Sequence, residues 1–187
     1  MLGVGFHTSP ISLIDPGFPI LGGMPLRQFS PKGDDTVTYC SDWRLLDEEQ
    51  IFPDPDTGTL EPVSFSVFHC VTRFTDPAAA LATLEDRYAS LTAWEIASDR
   101  MVTEIPGLEF ESRADRFYLW CENLSPETRG LYDPENVRDC TYLSVWGPYF
   151  SKLDFGMWPI AGGGRQFSVP LLEDVLRSVN DKLGDAR

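Results

Sequence analysis

The chain has no run of about 18 consecutive apolar residues, so no segment reads as a membrane-spanning helix. Basic residues are also scarce: 15 Lys and Arg stand against 29 Asp and Glu, a formal net charge of −14. A surface of that sign repels phosphate backbones and anionic headgroups, which argues against nucleic-acid binding and charge-driven membrane attachment. Histidine is represented only by His7 and His69, and no CxxC pair is present, so the usual zinc spacings are missing. There is no GxSxG, no HExxH and no GxGxxG between strand and helix, and the three glycines at 162–164 lack the lysine of a phosphate loop. A carboxylate pair could be drawn at will from 29 acidic residues, so it specifies nothing. The first residues lack a basic region, and Pro and Gly break their apolar runs; they do not read as a secretory signal.

What is present is apolar and aromatic. A length of 187 residues with 42% hydrophobic and 12% aromatic content fits one globular domain with a core of its own. The first compositional block, 1–34, is an apolar arm with few charges. Pro10, Pro16, Pro19, Pro25 and Pro31 forbid a continuous helix there, and no alternating period appears. Such an arm must lie on something: its own domain, or a groove on another subunit in an extended mode of recognition. Phe6, Ile14 and Phe18 are its candidate anchors.

Residues 35–187 read as a single α+β domain. Strands are expected over 35–46 and over 63–74, where Val63, Phe65 and Val67 alternate with Ser64 and Ser66 before Phe68 makes both faces apolar. His69 in that strand reads as a packed structural residue. Between the two strands, 47–62 reads as a polar, proline-rich loop. Its Asp54-Pro-Asp56-Thr-Gly58 is like the front half of a calcium loop, with Glu61 as a further oxygen; an ordinary turn explains the same residues. Asp76 as N-cap and Pro77 at the first helical position open a helix over 76–92, with Leu81, Leu84, Tyr88 and Leu91 as its buried stripe.

A short strand near Met101 and a strand over 117–124 follow. The stretch from Cys140 to Phe155 then forms a strand pair or bent strand, interrupted at Gly147-Pro148. Ser168 caps a last helix over 168–184 that buries Leu172, Val175, Leu176, Val179 and Leu183 and stops at Gly184. The expected architecture is a mostly antiparallel sheet with the two helices packed on one face, preceded by an irregular apolar arm.

Four cysteines, Cys40, Cys70, Cys121 and Cys140, allow three pairings. The most local, Cys40–Cys70 with Cys121–Cys140, joins in each case the strands on either side of a connection. A bridge closing a loop of that size stabilises by roughly 3 kcal/mol in the chain-entropy model. Disulfides point to an extracytoplasmic protein, periplasmic or secreted, whereas four buried thiols would place it in the cytoplasm.

The motif C-x-Y-x-x-x-x-G-x-Y from Cys140, with RF-x-DP-x-AA from Arg73, resembles exported bacterial lipoproteins of the PknH-like extracellular sensor and Mog1/PsbP-like group. The resemblance covers residues 36–184 and implies an α+β domain acting as an extracytoplasmic sensor or accessory subunit. It carries over no site residues.

The expected function is therefore a non-catalytic accessory subunit or interaction module of a larger, extracytoplasmic assembly, with no cofactor and a protein partner. Docking is expected through the arm and an aromatic surface, with Tyr149 at the strand bend and Trp158 on a glycine-rich loop as the leading residues. A soluble sensor holding a small ligand between sheet and helix is the second expectation, and an enzyme of unknown class the third.

Overall fold

Strand alternation decides this architecture. In 63–71 every odd residue is apolar or His69, and in 140–150 apolar residues fall on both sides of the chain. A computed structural model describes residues 24–29, 37–53, 58–97, 100–123, 131–158 and 166–185, some of them by backbone alone. The order is β1 (Met24–Phe29), β2 (Val37–Pro53), β3 (Leu60–Arg73), α1 (Pro77–Ala97), β4 (Met101–Val102), β5 (Arg116–Asn123), β6 (Val137–Trp146), β7 (Tyr149–Trp158) and α2 (Val169–Asp185). The strands form one open sheet in the order β1-β2-β3-β7-β6-β5-β4, and every pairing is antiparallel. The fold is α+β. None of the described helices is long and apolar enough to cross a membrane.

One face of the sheet carries Val63, Phe65, Val67, His69 and Val71 of β3, Leu153, Phe155 and Met157 of β7, Cys140, Tyr142 and Trp146 of β6, and Cys121 of β5. α2 lies on this face and buries the five residues of its expected stripe, with Asn180 beside them. Phe65 stacks on Phe155 at 5.1 Å, and Phe167, just before α2, meets both rings edge-on. The segment 103–115 closes the margin. Arg113 N–H donates to Asn180 Oδ1 at 2.7 Å, and Glu109 N–H to Glu173 Oε2 at 2.9 Å.

The opposite face carries Trp120, Leu143, Val145 and Phe150, and α1 covers these with Ala80, Leu84, Tyr88 and Leu91. The two helices thus occupy opposite faces, not one face as the repeated strand–strand–helix order suggests. The reason is that β5 and β6, with Phe150 at the start of β7, carry apolar side chains on both sides, and each side needs a cover. Leu81, expected in the α1 stripe, is 43% exposed; Ala80 takes the core position, in register with Leu84, Tyr88 and Leu91. The α1 start is as expected, with Ala78 N–H donating to Asp76 Oδ1 at 2.9 Å and Pro77 at the first helical position. α2 runs one residue past Gly184, which lies against the Arg113 guanidinium.

Two connections also differ from the sequence reading, and a third takes one of its alternatives. Residues 24–29, expected within the irregular arm, form the edge strand β1. An edge tolerates Pro25, which has no N–H to donate, and the pairing slips between Met24 and Arg27. β2 continues to Pro53, into the stretch expected to be a loop, crossing an irregularity between Asp47 and Ile51, and β3 begins within the same stretch at Leu60. The Gln50 side-chain amide holds it there, donating to Gln166 C=O and accepting from Gln166 N–H, each at 2.8 Å. At Gly147-Pro148 the chain makes a two-residue hairpin turn between Trp146 and Tyr149, with Gly147 at φ 57°, as a type II′ turn requires.

Leu84→Ala and Leu176→Ala should each destabilise the domain by about 2–5 kcal/mol. Because the two sites lie on opposite sides of the sheet, the double variant should show the sum to within about 0.5 kcal/mol in chemical denaturation. A large coupling between them would contradict the two-sided arrangement.

Candidate docking surface

Among the described residues, α1 covers the second face over β4, β5, β6 and β7. Over β2 and β3 that face carries the even residues of β3: Leu60, Pro62, Ser64, Ser66, Phe68, Cys70 and Thr72. It also carries their partners on β2, with Ile51 opposite Pro62 and Asp42 opposite Phe68. Three large apolar side chains stand open to solvent here: Ile51 at 57% exposure, Leu60 at 72% and Phe68 at 41%. Single exposed apolar residues are ordinary; here Ile51 and Leu60 stand near each other at the outer end of the hairpin, with Phe68 on the same face further along β3.

The hairpin is held rigid beneath that surface. Cys40 lies directly opposite Cys70, and a disulfide joins them with Cα atoms 4.1 Å apart. A second cross-strand disulfide joins Cys121 to Cys140 on the α2 face, with Cα atoms 3.9 Å apart. Both are the local pairings. Their loops span 30 and 19 residues, a stabilisation of about 3–4 kcal/mol each in the chain-entropy model. Thr38 and Thr72 hydroxyls, 2.7 Å apart, add a further cross-strand bond.

Toward β5 the open face becomes acidic. Asp154 lies opposite Phe68, Asp139 opposite Gly156, and Glu122 opposite Asp139. Lys152 pairs with Asp154, which also accepts from Thr141 Oγ1 at 2.9 Å, and Arg138 lies 3.4 Å from Asp139. Burial and then the neighbouring Glu122 carboxylate push Asp139 up to about 6, with Arg138 opposing. Gly156 leaves room for this residue, since a Cβ there would come within 3.3 Å of the Asp139 Cβ.

The sequence-predicted site residues do not assemble into one place. Trp120, Tyr142 and Trp146 are core residues, which removes most of the expected aromatic surface. Tyr149 is half-buried against the α2-side core. Trp158 ends β7 opposite Ser64, at the border of the open face, and its side chain lies outside the described residues. Phe6, Ile14 and Phe18 lie outside them too, as do Asp54 and Asp56 of the calcium-like stretch. Glu61 is described by backbone alone, in β3 opposite Phe52. Among the described residues, no group of three His, Cys, Asp or Glu could hold a metal ion. Ile51 and Leu60 were missed because both fall in the stretch expected to be a loop, whereas Phe68 is marked in the sequence by the break in alternation.

Two other places were candidates for chemistry. His69 Nε2 lies 2.7 Å from Ser151 Oγ, but both side chains are buried beneath α2. Burial pulls the imidazole down to about 3, so it is neutral at physiological pH and faces no substrate. The second place is a shallow groove of about 500 Å³ between the start of α1 and β5, lined by Pro77, Leu81, Val145 and the charged Glu85, Asp115 and Arg116. Tyr118 OH donates to Glu85 Oε2 at 2.8 Å, and Arg116 Nη2 donates to the Tyr118 oxygen at 3.0 Å.

No protein-family model matches the chain, and searches of curated proteins and of solved structures likewise find no match.

The buried imidazole predicts a pH dependence. Only the unfolded chain binds its proton between pH 6.5 and about 3, so the contribution of His69 is constant above pH 6.5 and lost as pH falls below it. Between pH 7 and pH 5, wild-type stability should fall about 2 kcal/mol more than that of His69→Gln in denaturant titrations. Asp139 acts in the opposite sense. Its raised value stabilises the fold below the unfolded value of 3.8, an advantage lost as pH rises through about 6. Asp139→Asn should therefore raise the thermal midpoint at pH 8 and leave it nearly unchanged at pH 4.

Proposed function

We propose that the chain is a non-catalytic interaction module, an accessory subunit of an extracytoplasmic assembly. It meets a protein partner through the open face of the β2–β3 hairpin and through the N-terminal arm. The observation that carries this reading is the exposure of Ile51, Leu60 and Phe68 on one face of a disulfide-braced hairpin that neither helix reaches. Exposed apolar side chains at the two ends of the face, with Asp154 beside Phe68, suit a partner segment that is itself apolar with basic flanks, since like charges would be repelled by a chain of net charge −14.

The compartment rests on the disulfides. Bridges between directly opposed strand residues persist where no thiol-reducing system acts, which favours the periplasm or the exterior. The resemblance to PknH-like sensors and Mog1/PsbP-like lipoproteins supports the same compartment and an accessory role. A second reading, a sensor for a small ligand, draws support from the groove beside α1, whose volume falls in the range of ligand sites.

Replacing Ile51 and Leu60 together by Asp should abolish co-purification of the partner from the source cells. The thermal midpoint should stay close to wild type, because exposed positions shift stability by about 0.5 kcal/mol or less each. Leu131→Asp, an equally exposed position off this face, is the matched control. Full partner recovery with the double variant would remove the hairpin face from consideration.

A further inference from the structure

The two disulfides occupy unlike surroundings. Cys121 and Cys140 are 0% and 1% exposed, packed in the core beneath α2, with Phe155 opposite Cys140 on the next strand. A thiol reaches that bond only when the α2-side core opens. Cys40 and Cys70 lie on the other side of the sheet, on the open face of the β2–β3 hairpin. They belong to neither apolar core cluster; Cys40 is 6% exposed and Cys70 is half-buried. Their neighbours on the same face are the Thr38–Thr72 pair on one side and Asp42 with the exposed Phe68 on the other.

The row across the sheet gives the bond a direction of attack. Lys152 of β7 lies opposite Cys70, on the side away from Cys40, and pairs with Asp154. A thiolate attacks a disulfide in line with the S–S bond. Attack on Cys70 Sγ therefore comes from the β7 side, past the Lys152 ammonium, whose charge favours the incoming thiolate. We propose that Cys40–Cys70 is a thiol–disulfide exchange site whose reaction partner is a dithiol, whereas Cys121–Cys140 stays closed. The first thiolate bonds to Cys70 Sγ as the Cys70–Cys40 bond breaks, and Cys40 leaves with the electron pair. The second thiolate of the partner then displaces Cys70. Two electrons pass to the protein, the two protons of the dithiol end on Cys40 and Cys70, and the partner leaves as its disulfide.

Reduction of the folded full chain by dithiothreitol tests this, with acid quenching, alkylation and mass mapping of the modified cysteines. Thiols at Cys40 and Cys70 should appear more than about ten-fold faster than at Cys121 and Cys140. While only the first pair is reduced, the near-ultraviolet circular dichroism of the aromatic core should keep its native form. Lys152→Gln should slow the reaction with dithiothreitol about three-fold, and leave the rate with an uncharged phosphine unchanged. Equal rates for the two bridges, or earlier reduction of Cys121–Cys140, overturn the proposal. Loss of the native dichroism in step with the first thiols also overturns it, since the bond would then open only by unfolding. A Lys152 variant that reacts with dithiothreitol at the wild-type rate overturns the attack from the β7 side.

Discussion

The pairing of β3 with β7 at the middle of the sheet is the constraint on which the rest depends. It sets β2–β3, apolar on one side, beside β5, β6 and the start of β7, apolar on both. Among the described residues there are two helices, one for each side of the sheet. α2 spans the continuous inner face, α1 takes the outer face of β5–β7, and the outer face of the hairpin is left without a helix. Its central residues are Ser64 and Ser66, and its ends are the apolar Phe68 and Leu60.

The same register explains why the hairpin can stand uncovered. A two-stranded ribbon is marginal alone in water, and its outer half extends past the last residues paired with β7. The Cys40–Cys70 bridge joins its two strands to each other, and the Gln50–Gln166 amide contact ties it to the body. A rigid apolar surface loses little conformational entropy on binding, which is what an interaction module needs. The buried polar residues work the other way. His69, Ser144 and Ser151 are satisfied inside the inner face and specify its packing without meeting solvent.

Much of this was legible from residue order. The alternating rows of 63–71 and 140–155, the α2 stripe, the Asp76 cap and the local cysteine pairing all follow from periodicity and spacing. The errors have physical causes. Both helices were expected on one face because the two strand–strand–helix units share an order. The apolar residues on both sides of 140–150, which demand a cover on each side, are legible in the sequence. The strand through 47–53 is written in polar residues and proline, so local propensity reads it as a loop. Cross-strand partners at 60–63 and the Gln50 contact override that preference, and neither is local. The aromatic surface failed because Trp120 and Trp146 face different sides of a sheet that is covered on both. The open face was the least legible part, since exposure depends on where a helix is not.

A photo-crosslinking side chain placed at position 60 tests the central claim directly, with position 131 as the equally exposed reference. In the source cells, illumination should join position 60, and not position 131, to a partner protein. Adducts confined to position 131, or none to any other protein from position 60, would contradict the hairpin face as the surface through which this chain acts.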